Sequence, residues 1–202
     1  MTVITILDYI GVLVFAMSGL LAASGKKLDL FGGFIIAFVT ALGGGTLRDL
    51  FLNVDIGWIL HPNYIYIVII GTIGALIFKK ALKKIRKTIF LFDTIGISLF
   101  TILGVQKALS LDTPLVVAVM FGVITATFGG VIRDILCNDI PLIFRKEIYA
   151  TACVLGGICY VGLHALQIDE NVNLIVSGLV IAGIRTIAVL KKYSLPVLND
   201  KI

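Results

Sequence analysis

Charge, histidine and proline are all scarce in this chain, and each shortage removes a class of function. Asp, Glu, Lys and Arg make up 14% of its 202 residues, where soluble domains carry about 25%, so the composition is not that of a solvated globule. The two histidines, His61 and His164, stand at the ends of apolar runs without metal-ligand spacing, and no nucleophile elbow, phosphate-binding loop or HExxH occurs. The chain is therefore read as no enzyme, and no cofactor is implied. Three cysteines, Cys137, Cys153 and Cys159, form no CxxC pair and read as free buried thiols. Of the four prolines, Pro62, Pro114 and Pro196 fall at the ends of apolar segments, where proline is tolerated, and Pro141 follows a glycine-rich one.

What the chain has instead is apolar length. It is 59% hydrophobic, with a mean hydropathy of +1.09, and its apolar windows predict an all-α membrane protein of seven transmembrane helices in a single domain over 1–202. The windows are Val3–Ser24, Leu30–Asn53, Asn63–Phe78, Thr88–Gln106, Pro114–Cys137, Lys146–Leu163 and Val172–Leu190. The first is long, lacks a basic region before it, and reads as a retained span rather than a signal peptide.

The net charge of +5 is a topology signal and not a nucleic-acid one. Lys26, Lys27, the run Lys79–Lys87, Arg145, Lys146, Lys191, Lys192 and Lys201 fall in one set of connections. The opposite set holds Asp55, Asp112, Asp169 and Glu170, with Lys107 as its main cation. The positive-inside rule then places the amino terminus outside and the carboxyl terminus in the cytoplasm, which an odd number of spans requires. The Lys79–Lys87 run reads as a topology anchor, with an anionic lipid headgroup as the alternative partner.

The chain also repeats itself. TALGGGTLRDLFLN at Thr40–Asn53 returns as TATFGGVIRDILCN at Thr125–Asn138, an offset of 85 that also maps Asp8 to Asp93, Phe15 to Phe100, Gly19 to Gly104, Tyr64 to Tyr149 and Gly71 to Gly156. Spans 1–3 (about 3–85) and 4–6 (about 88–165) are thus copies, and the seventh, 172–190, stands alone. Three spans per copy imply an inverted repeat, and in such architectures interrupted helices at matching positions point to the binding site. Spans 2 and 5 are expected to be kinked at Gly43, Gly44 and Gly45 and at Gly129 and Gly130. Phe128 stands where the first copy has Gly43.

Carbonyls freed by such kinks could coordinate a monovalent cation, K+ or Na+, near Gly44 and Gly129; close helix packing is the competing use of the same glycines. Arg48, Asp49, Arg133 and Asp134 put four charges at depth, on the order of 10–14 kcal/mol before pairing. Neighbours on a helix point about 100° apart, so the expected pairing crosses the repeat axis, Arg48 with Asp134 and Arg133 with Asp49. Asp8 and Asp93 lie near the starts of equivalent helices. Lys107 reads as a gate residue or an interfacial lysine, and Arg185 has no partner evident in sequence.

These motifs, GGGTLRD in span 2 and FGGVIRD in span 5 within a three-plus-three-plus-one arrangement, resemble the prokaryotic branch of the trimeric intracellular cation (TRIC) channels. That branch overlaps the bacterial glycine transporter domain family. The resemblance covers about Asp8 to Leu190. It implies a homotrimer with a pore in each protomer between spans 2 and 5 and passive conduction of potassium and other monovalent cations. The glycines would be the kink and ion-coordination positions, Arg48, Asp49, Arg133 and Asp134 pore-lining or supporting residues, and Lys107 a gate. A secondary transporter for glycine or another small neutral amino acid uses the same broken helices differently, and a purely structural membrane protein is a third reading. The expected location is a prokaryotic plasma membrane.

Overall fold

The computed structural model describes residues 3–84 and 88–196, with side chains described outside 79–88. Among the described residues the chain forms eight α-helices: α1 (Val3–Ala23), α2 (Leu30–Phe51), α3 (Gly57–Leu60), α4 (Asn63–Lys84), α5 (Thr88–Leu109), α6 (Leu115–Leu136), α7 (Ala150–Ala165) and α8 (Glu170–Leu190). A 3₁₀ turn covers Leu142–Phe144. Among the described residues five segments are long and apolar enough to cross a membrane: Val3–Ala23, Leu30–Phe51, Ile89–Leu109, Leu115–Leu136 and Glu170–Leu190. The Asn63–Phe78 part of α4 and all of α7 are shorter apolar helices. The chain is an all-helical, multi-pass membrane protein. The Lys79–Lys87 run falls outside the residues whose side chains are described.

Helices α2 and α6 end in a left-handed turn that α7 and α8 also use, at Gln167 and Lys192. Asn53 and Asn138, at the repeat offset, hold positive φ values of 53° and 57°, a left-handed conformation that asparagine tolerates better than most residues. The chain then turns back, so that Val54 N donates to Asp49 O and Asp139 N to Asp134 O. Each return carries a short helical turn, α3 in one copy and Leu142–Phe144 in the other, too brief to leave a periodic trace in the sequence. The second return also delays α7, which starts at Ala150 rather than Lys146. Its residues 146 and 147 pair instead with the segment after α8, through Leu195 N to Lys146 O and a bridge between Glu147 and Ser194.

The expected interruptions of spans 2 and 5 are absent. Helices α2 and α6 run continuously through their glycines, and no described glycine has a positive φ. The glycines instead let two backbones touch. A Cβ on Gly44 would run into the carbonyl oxygen of Thr125, and one on Gly129 into that of Thr40. These reciprocal contacts, 44 with 125 and 129 with 40, require α2 and α6 to run antiparallel. Gly19 and Gly104 repeat the device one layer out, bringing α1 against Thr40 and α5 against Thr125. Phe15 and Phe100 fill the α1–α5 contact, their ring centroids 5.1 Å apart.

Candidate functional site

Near the end of α2, Asp49 gathers two cations. Its Oδ1 accepts from Arg48 Nε at 2.8 Å and lies 2.8 Å from Arg48 Nη2 and 2.9 Å from Lys107 Nζ at the end of α5. Its Oδ2 accepts from the backbone N–H of Gly57, at the start of α3. The second copy repeats the frame. Asp134 Oδ1 accepts from Arg133 Nε at 2.8 Å, and its Oδ2 from Leu142 N–H at 3.2 Å. Each Arg–Asp pair thus ties the end of its helix to the returning chain, and each arginine sits in a last helical turn, where the macrodipole favours a cation.

The expected cross-axis pairing is therefore corrected: Arg48 bonds Asp49, and Arg133 bonds Asp134. Adjacent Cβ atoms do diverge on a helix, but an arginine side chain is long enough to fold back onto its neighbour. Arg48 and Asp134 are in any case kept apart. In the antiparallel register position 48 of α2 lies opposite about position 121 of α6, thirteen residues or roughly 20 Å from Asp134.

Lys107 belongs to the first cluster, while Asp93 belongs to the second, with its Oδ1 3.4 Å from Arg133 Nη1. Both residues sit on α5, fourteen positions apart, which places the clusters about 21 Å from each other along the helix. Helix α1 runs between the clusters in the opposite sense, its contributing residues Asp8 and Ser18 ten positions or about 15 Å apart. Asp8 joins the first cluster, accepting a 2.5 Å hydrogen bond from Tyr64, and Ser18 joins the second by accepting from Arg133 Nη1 at 3.3 Å.

The clusters are balanced in charge but unlike in construction. The first holds Arg48 and Lys107 against Asp8 and Asp49; the second holds Arg133 and Arg185 against Asp93 and Asp134. Lys107 maps onto Ala22 in the first copy, and Arg185 comes from α8, outside both copies. So each cluster takes one cation that the repeat does not supply to the other. Arg185 is 1% exposed and its Nη2 lies 3.1 Å from Asp93 Oδ2.

They also differ in access. A cavity of about 180 Å³ opens onto the first cluster, bounded by Asp8, Gly45, Arg48, Asp49, Trp58, Tyr64, Lys107 and, at its inner end, Thr125. Trp58 is fixed there by its Nε1–H donating to Thr46 Oγ1 at 3.0 Å. In the second cluster Asp93, Arg133 and Arg185 are 1–2% exposed. Of the residues expected in the site, Gly45, Arg48, Asp49 and Lys107 line the cavity. Gly43, Gly44, Phe128, Gly129 and Gly130 lie at or beside the helix crossing, and Arg133, Asp134 and Arg185 lie in the buried cluster. Asp93, Ser18 and the tyrosines Tyr64 and Tyr149 are additions; the repeat offset, by matching Asp8 with Asp93 and Tyr64 with Tyr149, carried the signal of all but Ser18, whose counterpart is Leu103.

Comparison with known proteins follows the same division. A family model described as glycine transporter matches residues 5–80 and again 90–165. The UPF0126 inner membrane protein YadS of Escherichia coli K12 is 38% identical over 156 residues, 76% of this chain and 75% of that protein. A chain solved to explain conductance through TRIC cation channels superposes with a TM-score of 0.89 at 35% identity, covering 100% of both chains. The TRIC trimeric intracellular cation channel orthologue from Rhodobacter sphaeroides superposes with a TM-score of 0.90 at 33% identity, covering 95% of this chain and 100% of that one.

Proposed function

This chain belongs to the glycine transporter family and, within it, to the prokaryotic TRIC branch, and from that premise we propose that it is a passive, potassium-permeable channel for monovalent cations. The family is one of membrane transport and not of enzymes. The path runs within each protomer along the α2–α6 crossing, from the cavity at Arg48, Asp49 and Lys107 past Gly43–Gly45 and Phe128–Gly130 to Arg133, Asp134 and Arg185. Backbone carbonyls near Gly44 and Gly129 coordinate the ion, helped by a bend of α2 and α6 that does not break either helix. Seven helices cross the membrane as one domain: α1, α2 and α4 form one repeat, α5, α6 and α7 its inverted copy, and α8 the seventh span.

The observation that carries this reading is the pair of charge-balanced clusters about 21 Å apart on α5, joined by a glycine-lined crossing and open at one end. The antiparallel α1–α5 and α2–α6 relations and the two family-model matches support the inversion. A cluster of zero net charge neither repels a cation nor holds it firmly, which suits conduction. The similarity to a channel described as trimeric supports a homotrimer, and the inner membrane relative supports a prokaryotic plasma membrane, with the amino terminus outside and the carboxyl terminus cytoplasmic by charge distribution.

The test is purified protein in planar bilayers under potassium chloride gradients, with and without glycine. Discrete currents reversing near the potassium potential are expected. Silent bilayers with saturable glycine exchange in liposomes of the same preparation would replace the channel with a transporter. In that case Arg48 and Lys107 would hold a carboxylate and Asp8 an ammonium in the same cavity.

A further inference from the structure

The first repeat shows how the second repeat's residues would bond if nothing from outside intervened. In the first, Tyr64 donates its hydroxyl to Asp8. In the second, Tyr149 and Asp93 occupy the equivalent positions, 2% and 1% exposed, yet the Tyr149 hydroxyl has no hydrogen-bond partner among the described residues. A buried hydroxyl left without a partner is disfavoured, so something holds this pair out of the arrangement its counterpart adopts.

That something is Arg185. Its Nη2 donates to Asp93 Oδ2 at 3.1 Å and its Nη1 to the carbonyl oxygen of Ile148 at 3.3 Å. The guanidinium carbon lies 4.5 Å from the ring centroid of Tyr149 and 5.2 Å from that of Phe90. A carboxylate, a carbonyl and two aromatic faces converge on one positive group, and each of these attracts cations in general rather than arginine alone. The guanidinium is itself incompletely held, because its Nε finds no acceptor among the described residues.

Resting on the channel reading above, we propose that Asp93, Tyr149, Phe90 and the Ile148 carbonyl form a second cation site, at the end of the path opposite the open cavity, with Arg185 as its tethered occupant. When Arg185 withdraws, Tyr149 bonds Asp93 Oδ1, the oxygen that Arg133 Nη1 also reaches at 3.4 Å, as Tyr64 bonds Asp8. The other oxygen, the carbonyl and the two rings then receive a monovalent cation. Helix α8, which the repeat does not need, thereby makes one end of a pseudosymmetric path different from the other.

Guanidinium is the probe, used at low millimolar concentration with sodium chloride at equal ionic strength as control. In full-length R185A it should raise Tm by about 3–5 °C, the shift of a ligand near tenfold over its Kd. It should leave the wild type unshifted, where the site is filled, and R185A/D93N unshifted, where the carboxylate is gone. In liposomes it should block potassium flux through R185A at least tenfold more potently than through the wild type. No shift in folded R185A, or a shift that survives D93N, overturns the site. A shift without potassium flux in any variant keeps the site and overturns the channel reading.

If R185A does not fold, Y149F decides. It should melt like the wild type, because the hydroxyl it loses bonds nothing in this state, and should lower potassium flux severalfold by weakening the state in which Arg185 has left. A Y149F protein of reduced Tm, or of unchanged flux, overturns the proposal.

Discussion

Gly44 on α2 rests directly on the carbonyl oxygen of Thr125 on α6, with no room for a Cβ between them. The contact is backbone to backbone, so no side chain can rotate away to relieve an added methyl. G44A, and equally G129A against Thr40, should destabilise the fold. Alanine gains about 1 kcal/mol in helix propensity, but forcing the two helices apart costs on the order of 3 kcal/mol or more. Thermal unfolding in detergent checks this: both variants should melt below the wild type. Lost conduction in either would then report a damaged crossing and would not map the ion path.

Gly45, one residue on, separates fold from path. A Cβ there would meet Arg48 Nη2 at 3.7 Å, an ordinary contact, and would project into the cavity that Gly45 lines. G45A should therefore melt at or slightly above the wild-type temperature, by up to the propensity gain of about 1 kcal/mol, while lowering single-channel conductance. Unchanged conductance in G45A would place the path elsewhere.

The fold was legible where composition repeats over a full helix. The apolar windows begin at Leu30, Asn63 and Thr88, as do α2, α4 and α5, and the resemblance read from GGGTLRD and FGGVIRD held against the family model and the solved TRIC structures. What escaped was set by reach and by distant packing. Glycine runs can break a helix or allow one to be approached, and only the partner helix decides which; here Thr125 and Thr40 decide it. That Arg48 bonds Asp49 depends on side-chain length rather than on Cα direction. The Arg185–Asp93 pair joins α8 to α5 across 92 positions, with no spacing rule to announce it.

Asp8 and Tyr64 offer a test of the first cluster's tyrosine. The Tyr64 hydroxyl is the only hydrogen-bond donor seen on Asp8 among the described residues. Y64F leaves that carboxylate without its donor, and a polar group so deprived costs about 1–3 kcal/mol. A drop in Tm of several degrees is expected, larger than for any phenylalanine replacing an exposed tyrosine such as Tyr66.

The loop pair Lys26–Asp139 carries a pH signature. The Lys26 ammonium, 2.8 Å away, holds the Asp139 carboxyl below its ordinary value of 3.8. A carboxyl depressed in the folded state contributes stability that is present above its ordinary value and is lost as pH falls through the depressed one. The pair is solvent-exposed, so the effect is small. A small Tm deficit of K26Q against the wild type should be present near neutral pH and vanish once pH falls below the depressed value. A deficit that persists there would mean that Lys26 acts through packing instead.

Lys107 can be removed from the first cluster without orphaning its partner. Asp49 would still accept from Arg48 and from Gly57 N–H, and the Lys107 side chain is 34% exposed, so K107M should lower stability by no more than about 1 kcal/mol. It does change the charge of the cavity, from zero to one negative unit. At low ionic strength that charge should concentrate potassium at the mouth and raise conductance. At about 1 M salt the Debye length shrinks to about 3 Å and the gain should largely disappear. A gain independent of salt would show Lys107 to be a steric plug rather than an electrostatic one. A loss at every salt concentration would show that its contact with Asp49 holds the path in its conducting shape.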